Sequence, residues 1–226
     1  MSVLIKVLLN NPRGLKSVIR KNTQYFGRSI VGFFERLFLI GQGRKNFSGN
    51  IFDRMHGLEC LLDDCEDTSV LDIGASEGLL SYEFARRGAS IIHGIELIRE
   101  RTWIANRLFR DVPVQSKFIC ENLALGVSSL QRKHGDVLLD QYDIVLFLGV
   151  YHHLKKYLAR KELLELILFL TEKSKKYFAI RSPDLQEVDN LIRSNGFEQY
   201  KFYPLIPNTV GQIRIYRRQP GKTDSK

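Results

Sequence analysis

The sequence predicts a doubly wound α/β protein whose seven-stranded sheet is mostly parallel and ends in an antiparallel C-terminal hairpin. Three observations lead there. From about residue 50 onward, short apolar runs alternate with helical patterns, as they do where helices cover a parallel sheet. The first run, Val70-Leu71-Asp72-Ile73, breaks at Gly74 into a turn of small residues, and a helical pattern follows at once. The last two apolar runs have no helical stretch between them, so they pair antiparallel.

Residues 52–64 read as a helix and 69–73 as a short buried strand. A helix over 78–87 is stopped by Gly88, and residues 90–95 give the second strand. Residues 98–110 form an amphipathic helix with Trp103, Ile104, Leu108 and Phe109 on one side. Strand 114–120 and a helix over 124–134 come next. Residues 142–148 are apolar throughout, as a central parallel strand is. An apolar helix over 158–172 leads to a fifth strand at 177–180. Ser182-Pro183 makes an N-cap and first-turn pair for a helix that turns Leu185, Val188, Leu191 and Ile192 inward and stops at Gly196. Strands 197–203 and 211–216 close a Rossmann-like sheet.

The 226 residues allow one domain plus an extension, and 44% hydrophobic with 11% aromatic content is enough for a core. The expected division is a basic, partly apolar helical extension over 1–48, a cofactor-binding domain over 49–218 and a polar tail over 219–226. Residues 1–46 hold nine basic residues against Glu35 alone, which is +8 of the chain's +9. Phe33, Phe34, Leu37 and Phe38 make 29–40 apolar on most sides, so that segment needs a cover. The protein's own body, a membrane surface and an anionic partner such as RNA are the three candidates. No apolar run reaches the ~20 residues of a membrane span, and the first residues lack a basic leader and cleavage site. Cys60, Cys65 and Cys120 fit neither a disulfide framework nor a zinc pattern, so the chain reads as cytoplasmic with reduced thiols and no metal.

Function is written most clearly in Asp72-Ile73-Gly74-Ala75-Ser76-Glu77-Gly78, with Glu96 18 residues after Gly78. Gly74 admits close approach to the backbone, Gly78 opens a helix, and Glu96 ends the next strand where it can accept two ribose hydroxyls. Two cofactor classes share that layout. A dinucleotide site expects G-x-G-x-x-G, and here the last two positions are Ser76 and Leu79. Asp72-x-Gly74-x-Ser76-x-Gly78 instead resembles motif I of the class I S-adenosylmethionine-dependent methyltransferases, usually D-x-G-x-G-x-G, with serine at the middle glycine.

The resemblance implies S-adenosylmethionine as cofactor, the turn from Asp72 through Ala75 and Ser76 to Gly78 beneath its methionine part, and Glu96 with Leu97 at its ribose. It places Asn122 or Glu121 at the adenine, and makes Leu148 and Gly149, at the end of the fourth strand, cofactor contacts as well. Phe147-Leu148-Gly149-Val150-Tyr151-His152-His153-Leu154 is similar to the strand-end phrase of the wobble-uridine tRNA methyltransferases and carboxymethyltransferases, with His152 where Tyr is usual. Tyr151, His152 and His153 are therefore the catalytic candidates. His153 matches the family position as either a base or a structural residue, and an extended segment would turn only one of the two imidazoles inward. His56, His93 and His134 read as non-catalytic. Phe47 and Arg54 are candidates for a lid, and Arg181 either binds an anionic substrate group or pairs with Asp184. The expected activity is methyl transfer to O or N of a small-molecule or glycan-type acceptor. The alternatives are an RNA methyltransferase using the basic N-terminus, and a non-catalytic cofactor-binding scaffold at a membrane surface.

Overall fold

A computed structural model describes residues 54–183, 185–204 and 211–220. The N-terminal extension, Phe47, Asp184 and the end of the polar tail lie outside the described residues, and with them the expectations of RNA or membrane contact.

The described elements run α1 (Glu59–Asp63), β1 (Ser69–Ile73), α2 (Leu79–Arg86), β2 (Ile91–Glu96), α3 (Arg99–Leu108), β3 (Gln115–Cys120) and α4 (Val127–His134). They continue β4 (Tyr142–Leu148), α5 (Tyr151–Leu154), α6 (Arg160–Glu172), β5 (Ser174–Ser182), α7 (Gln186–Ser194), β6 (Phe197–Tyr203) and β7 (Gln212–Arg218). One seven-stranded sheet has the order β3-β2-β1-β4-β5-β7-β6. The chain starts in the middle, winds out to β3, then crosses back to β4 on the other side of β1. The carboxyl ends of β1 and β4 therefore part at a topological switch point, where such sheets bind ligands.

The β1, β2, β3, β4 and β5 pairings are all parallel. β7 is antiparallel to both β5 and β6 and sits between them, so the reversed strand lies one place in from the edge. Tyr142, Ile144, Val145, Leu146 and Phe147 of β4 are fully buried because helices cover both faces. Leu71, Ile73, Val145, Phe147, Phe178 and Ile180 belong to one core with buried side chains of α6 and α7. Full burial of each such side chain contributes about 1.5–3 kcal/mol.

Three local expectations change. Trp103 is 56% exposed under the Arg107 guanidinium, while Thr102, Ile104, Ala105 and Leu108 face inward. At about 100° per residue, Trp103 falls off the stripe that Ile104 and Leu108 define. Ser182 does not cap a helix: it pairs with Gln212 as the last residue of β5, and α7 starts only at Gln186 after Leu185. The fifth strand also runs from Ser174 to Ser182, well past 177–180, because Ser174 pairs with Tyr142 of β4 and Arg181 and Ser182 pair with β7.

Candidate functional site

The turn after β1 is tied to the end of β2. Gly74 N and Ala75 N both donate to Ile95 O, at 2.8 and 3.1 Å. Gly74 has φ +78°, and a Cβ there would lie 2.3 Å from Val150 Cγ2. The first glycine is thus required twice, for its left-handed backbone and for contact with the loop after β4. Ser76 is also left-handed, at φ 53°, which gives the middle glycine of the usual motif a backbone reason. Serine holds this conformation through Ser76 N donating to Glu96 Oε2 at 2.9 Å and Ser76 Oγ donating to Glu77 Oε2 at 2.5 Å.

Glu96 is 6% exposed at the end of β2. Its Oε2 takes the Ser76 amide and its Oε1 takes the Ile98 amide, each at 2.9 Å. The carboxylate therefore joins the glycine turn to the start of α3, and each oxygen keeps a second lone pair for a ligand hydroxyl. Leu97 is exposed beside it.

Asp72 has a different environment. It is 2% exposed and accepts the Ser81 hydroxyl of α2 at 2.6 Å. Burial raises its pKa to about 6, with Glu96 adding to the rise and Ser81 and Arg54 opposing it. A carboxyl raised in the folded state contributes stability that is present below its unfolded pKa and lost as pH rises through about 6. At about 1.4 kcal/mol per pKa unit, ionised Asp72 costs about 3 kcal/mol at most at neutral pH. Asp72→Asn should therefore melt above wild type at pH 7.5, with the gap shrinking on acidification and closing near pH 4. Melting curves across that range check it, and a gap independent of pH sinks the account.

At the end of β3, Glu121 and Asn122 separate. Glu121 is buried, its Oε1 accepts from Lys133 Nζ at 3.1 Å and from Asn122 N at 3.0 Å, and its Oε2 meets His134 Nε2 at 3.0 Å. Burial works against the charge, but these donors hold the carboxyl below its ordinary value. Asn122 is exposed, and its Oδ1 accepts Ala124 N at 3.0 Å, capping a short 3-10 turn over Leu123–Leu125.

β4 opens into space after Leu148: a Cβ built on Gly149, at φ +73°, meets nothing within 4 Å. The segment that follows is helical, which corrects the extended reading. α5 sets the His152 and His153 rings side by side, 4.0 Å apart and tilted by 41°. Tyr151 is turned away into the core at 2% exposure. His152 Nδ1 is buried without a partner, and burial, His153 and Lys156 all lower its pKa. His153 is exposed. His93, by contrast, is buried with Nδ1 2.7 Å from the Tyr142 hydroxyl, which in turn accepts Leu139 N.

Ser81 and the Ile98 amide are contributors that sequence reasoning did not assign, while Arg181, a candidate there, is buried. Ser81 carries a sequence signal, since it lies in the first turn of the helix after Gly78. Among the described residues, no group of three or more His, Cys, Asp or Glu is placed to hold a metal ion. No described helix is long and apolar enough to cross a membrane.

The fold is shared with solved structures. Magnesium protoporphyrin IX methyltransferase from Synechocystis PCC 6803, with bound S-adenosylmethionine, superposes with a TM-score of 0.56 at 19% identity, over 90% of this chain and 97% of that one. The chain has the class I methyltransferase fold. The bifunctional kinase-methyltransferase WbdD shares this methyltransferase fold at a TM-score of 0.54 and 16% identity, over 81% of this chain and 46% of WbdD. A TehB-like S-adenosylmethionine-dependent methyltransferase from Corynebacterium glutamicum matches at 0.50 and 12% identity, over 92% and 100% of the two chains. No family model and no curated protein matches the sequence, so structural likeness is what places the chain among bearers of the methyltransferase fold.

Proposed function

We propose that the chain is a methyltransferase that uses S-adenosylmethionine and methylates an oxygen or nitrogen of a small-molecule or glycan-type acceptor. The observation that carries this reading is Glu96, a buried carboxylate at the carboxyl end of β2 that binds the glycine turn through Ser76 N. A fold alone hosts many chemistries. A carboxylate with lone pairs to spare beside a turn that a Cβ would block is the local feature such a cofactor needs. The residues fit the group: Gly74 to Gly78 would hold its methionine part, Glu96 would take the ribose hydroxyls, and Asn122 would meet the adenine. Glu121 is already engaged by Lys133 and His134.

Bound there, the cofactor supplies an electrophilic methyl group on a sulfonium. The chain's own part is to align the acceptor, exclude water and take its proton. His153 is the exposed ring of the pair and acts as the base. His152 stands 4.0 Å away, and burial lowers its pKa, which favours the neutral form of that ring. Tyr151 supports α5 from within the core.

Isothermal calorimetry with S-adenosylhomocysteine tests the reading, and absence of binding by the wild type overturns it. Replacing both histidines with asparagine should leave that affinity within about twofold while lowering transfer of a labelled methyl group about 10²–10⁴-fold. Unchanged transfer by the double variant removes the histidines from the mechanism.

A further inference from the structure

Arg181 lies near the carboxyl end of β5, level with Leu148 of β4 and Ile213 of β7, and its carbonyl accepts Gly149 N at 3.1 Å. It is 7% exposed. Its Nη2 donates to Arg54 O at 2.8 Å and His56 O at 2.9 Å, while its buried Nε has no partner. Among the described residues no carboxylate forms an ion pair with it, unlike Arg193 and Arg214, which share Asp189. Burial lowers its pKa to about 10, and the Arg54 guanidinium adds to the fall while Glu59 opposes it. The side chain stays protonated at neutral pH, and a buried charge without a counter-charge is costly.

The sheet order says which ligand such a cation serves. The residues assigned to the cofactor come chiefly from the ends of β1, β2 and β3, with Leu148 and Gly149 at the end of β4, whereas Arg181 is on β5, one strand further out. At about 4.8 Å per strand, β5 stands roughly 10 Å from β1 and 15 Å from β2. It adjoins the strand that leads into the paired histidines. A guanidinium fork with one nitrogen held on backbone carbonyls is preset for a planar or tetrahedral oxyanion.

We propose that Arg181 is the anion-recognition residue of the acceptor site, and that the acceptor carries a carboxylate or phosphate group near the methylated atom. This rests on the methyltransferase reading and narrows its acceptor class. The test uses the full chain saturated with S-adenosylhomocysteine, melted at fixed ionic strength with chloride replaced by phosphate or by acetate. The wild type should gain about 3–5 °C at ten times the anion's Kd, and the stronger of the two anions names the acceptor group. Arg181→Gln keeps a donor for the Arg54 and His56 carbonyls but loses the charge, and its gain should vanish. Arg181→Lys keeps a charge without the fork, should bind the same anion about tenfold more weakly, and serves if the glutamine variant does not fold.

No gain in the wild type, an equal gain in Arg181→Gln, or equal affinity in Arg181→Lys overturns the proposal. So does an Arg181→Gln variant that no longer prefers S-adenosylhomocysteine over its decarboxylated analogue, since Arg181 would then serve the cofactor. Wild type that binds S-adenosylhomocysteine but neither anion refutes this proposal alone. Wild type that does not bind S-adenosylhomocysteine refutes the methyltransferase reading instead.

Discussion

Glu96→Ala should lose S-adenosylhomocysteine binding by a factor of at least about 100. Hydrogen bonds to a charged group are worth about 1.5–3 kcal/mol each, and two ribose hydroxyls would be left without their acceptor. The same change frees the amides of Ser76 and Ile98, so the glycine turn itself loosens. Glu96→Gln retains one acceptor oxygen and should fall between, about tenfold weaker than wild type. Calorimetry on both variants, with circular dichroism to show that the sheet persists, provides the reading. A wild-type affinity in Glu96→Ala would mean that the carboxylate only braces the turn.

Gly74→Ala should be among the most damaging single methyl groups in the domain. The new Cβ would sit at φ +78° and 2.3 Å from Val150 Cγ2. The left-handed backbone costs about 1–2 kcal/mol for a residue with a Cβ, and the overlap adds a similar amount. A loss of about 2–4 kcal/mol corresponds to roughly 5–15 °C in Tm for a domain of this size. A double-mutant cycle with Val150→Ala separates the two causes. In that background the steric part should disappear and the backbone part remain, leaving a coupling of about 1–2 kcal/mol. A coupling near zero would show that Val150 yields without resistance and that backbone conformation alone selects glycine.

The strands were legible where their signal is local. Ser69–Ile73, Tyr142–Leu148 and Phe197–Tyr203 agree with the sequence reading at both ends, because each is a run whose composition changes sharply at its borders. The glycine turn and the carboxylate after it were legible for the same reason. Ser182-Pro183 misled because a sound local capping signal was outweighed by pairing with Gln212, about 30 residues away in sequence. The helical turn at His152 and His153 is too short for periodicity to show, so the pairing of the two rings has no sequence signal. Arg181 carried no sequence sign of its burial, which depends on the backbone of Arg54 and His56 arriving from the far end of the domain.

The place of β7 has a consequence for a nascent chain. β6 leaves the ribosome before β7, yet β7 is the strand that joins it to β5. Until residues 212–218 emerge, β5 presents a bare edge to whatever is nearby and β6 has no ladder to enter. Sheet closure must therefore wait for the last strand, a slow non-local step taken after the cofactor half has had time to form. During that interval the half of the sheet that holds β5 and β6 is the part of the newborn protein most open to mispairing.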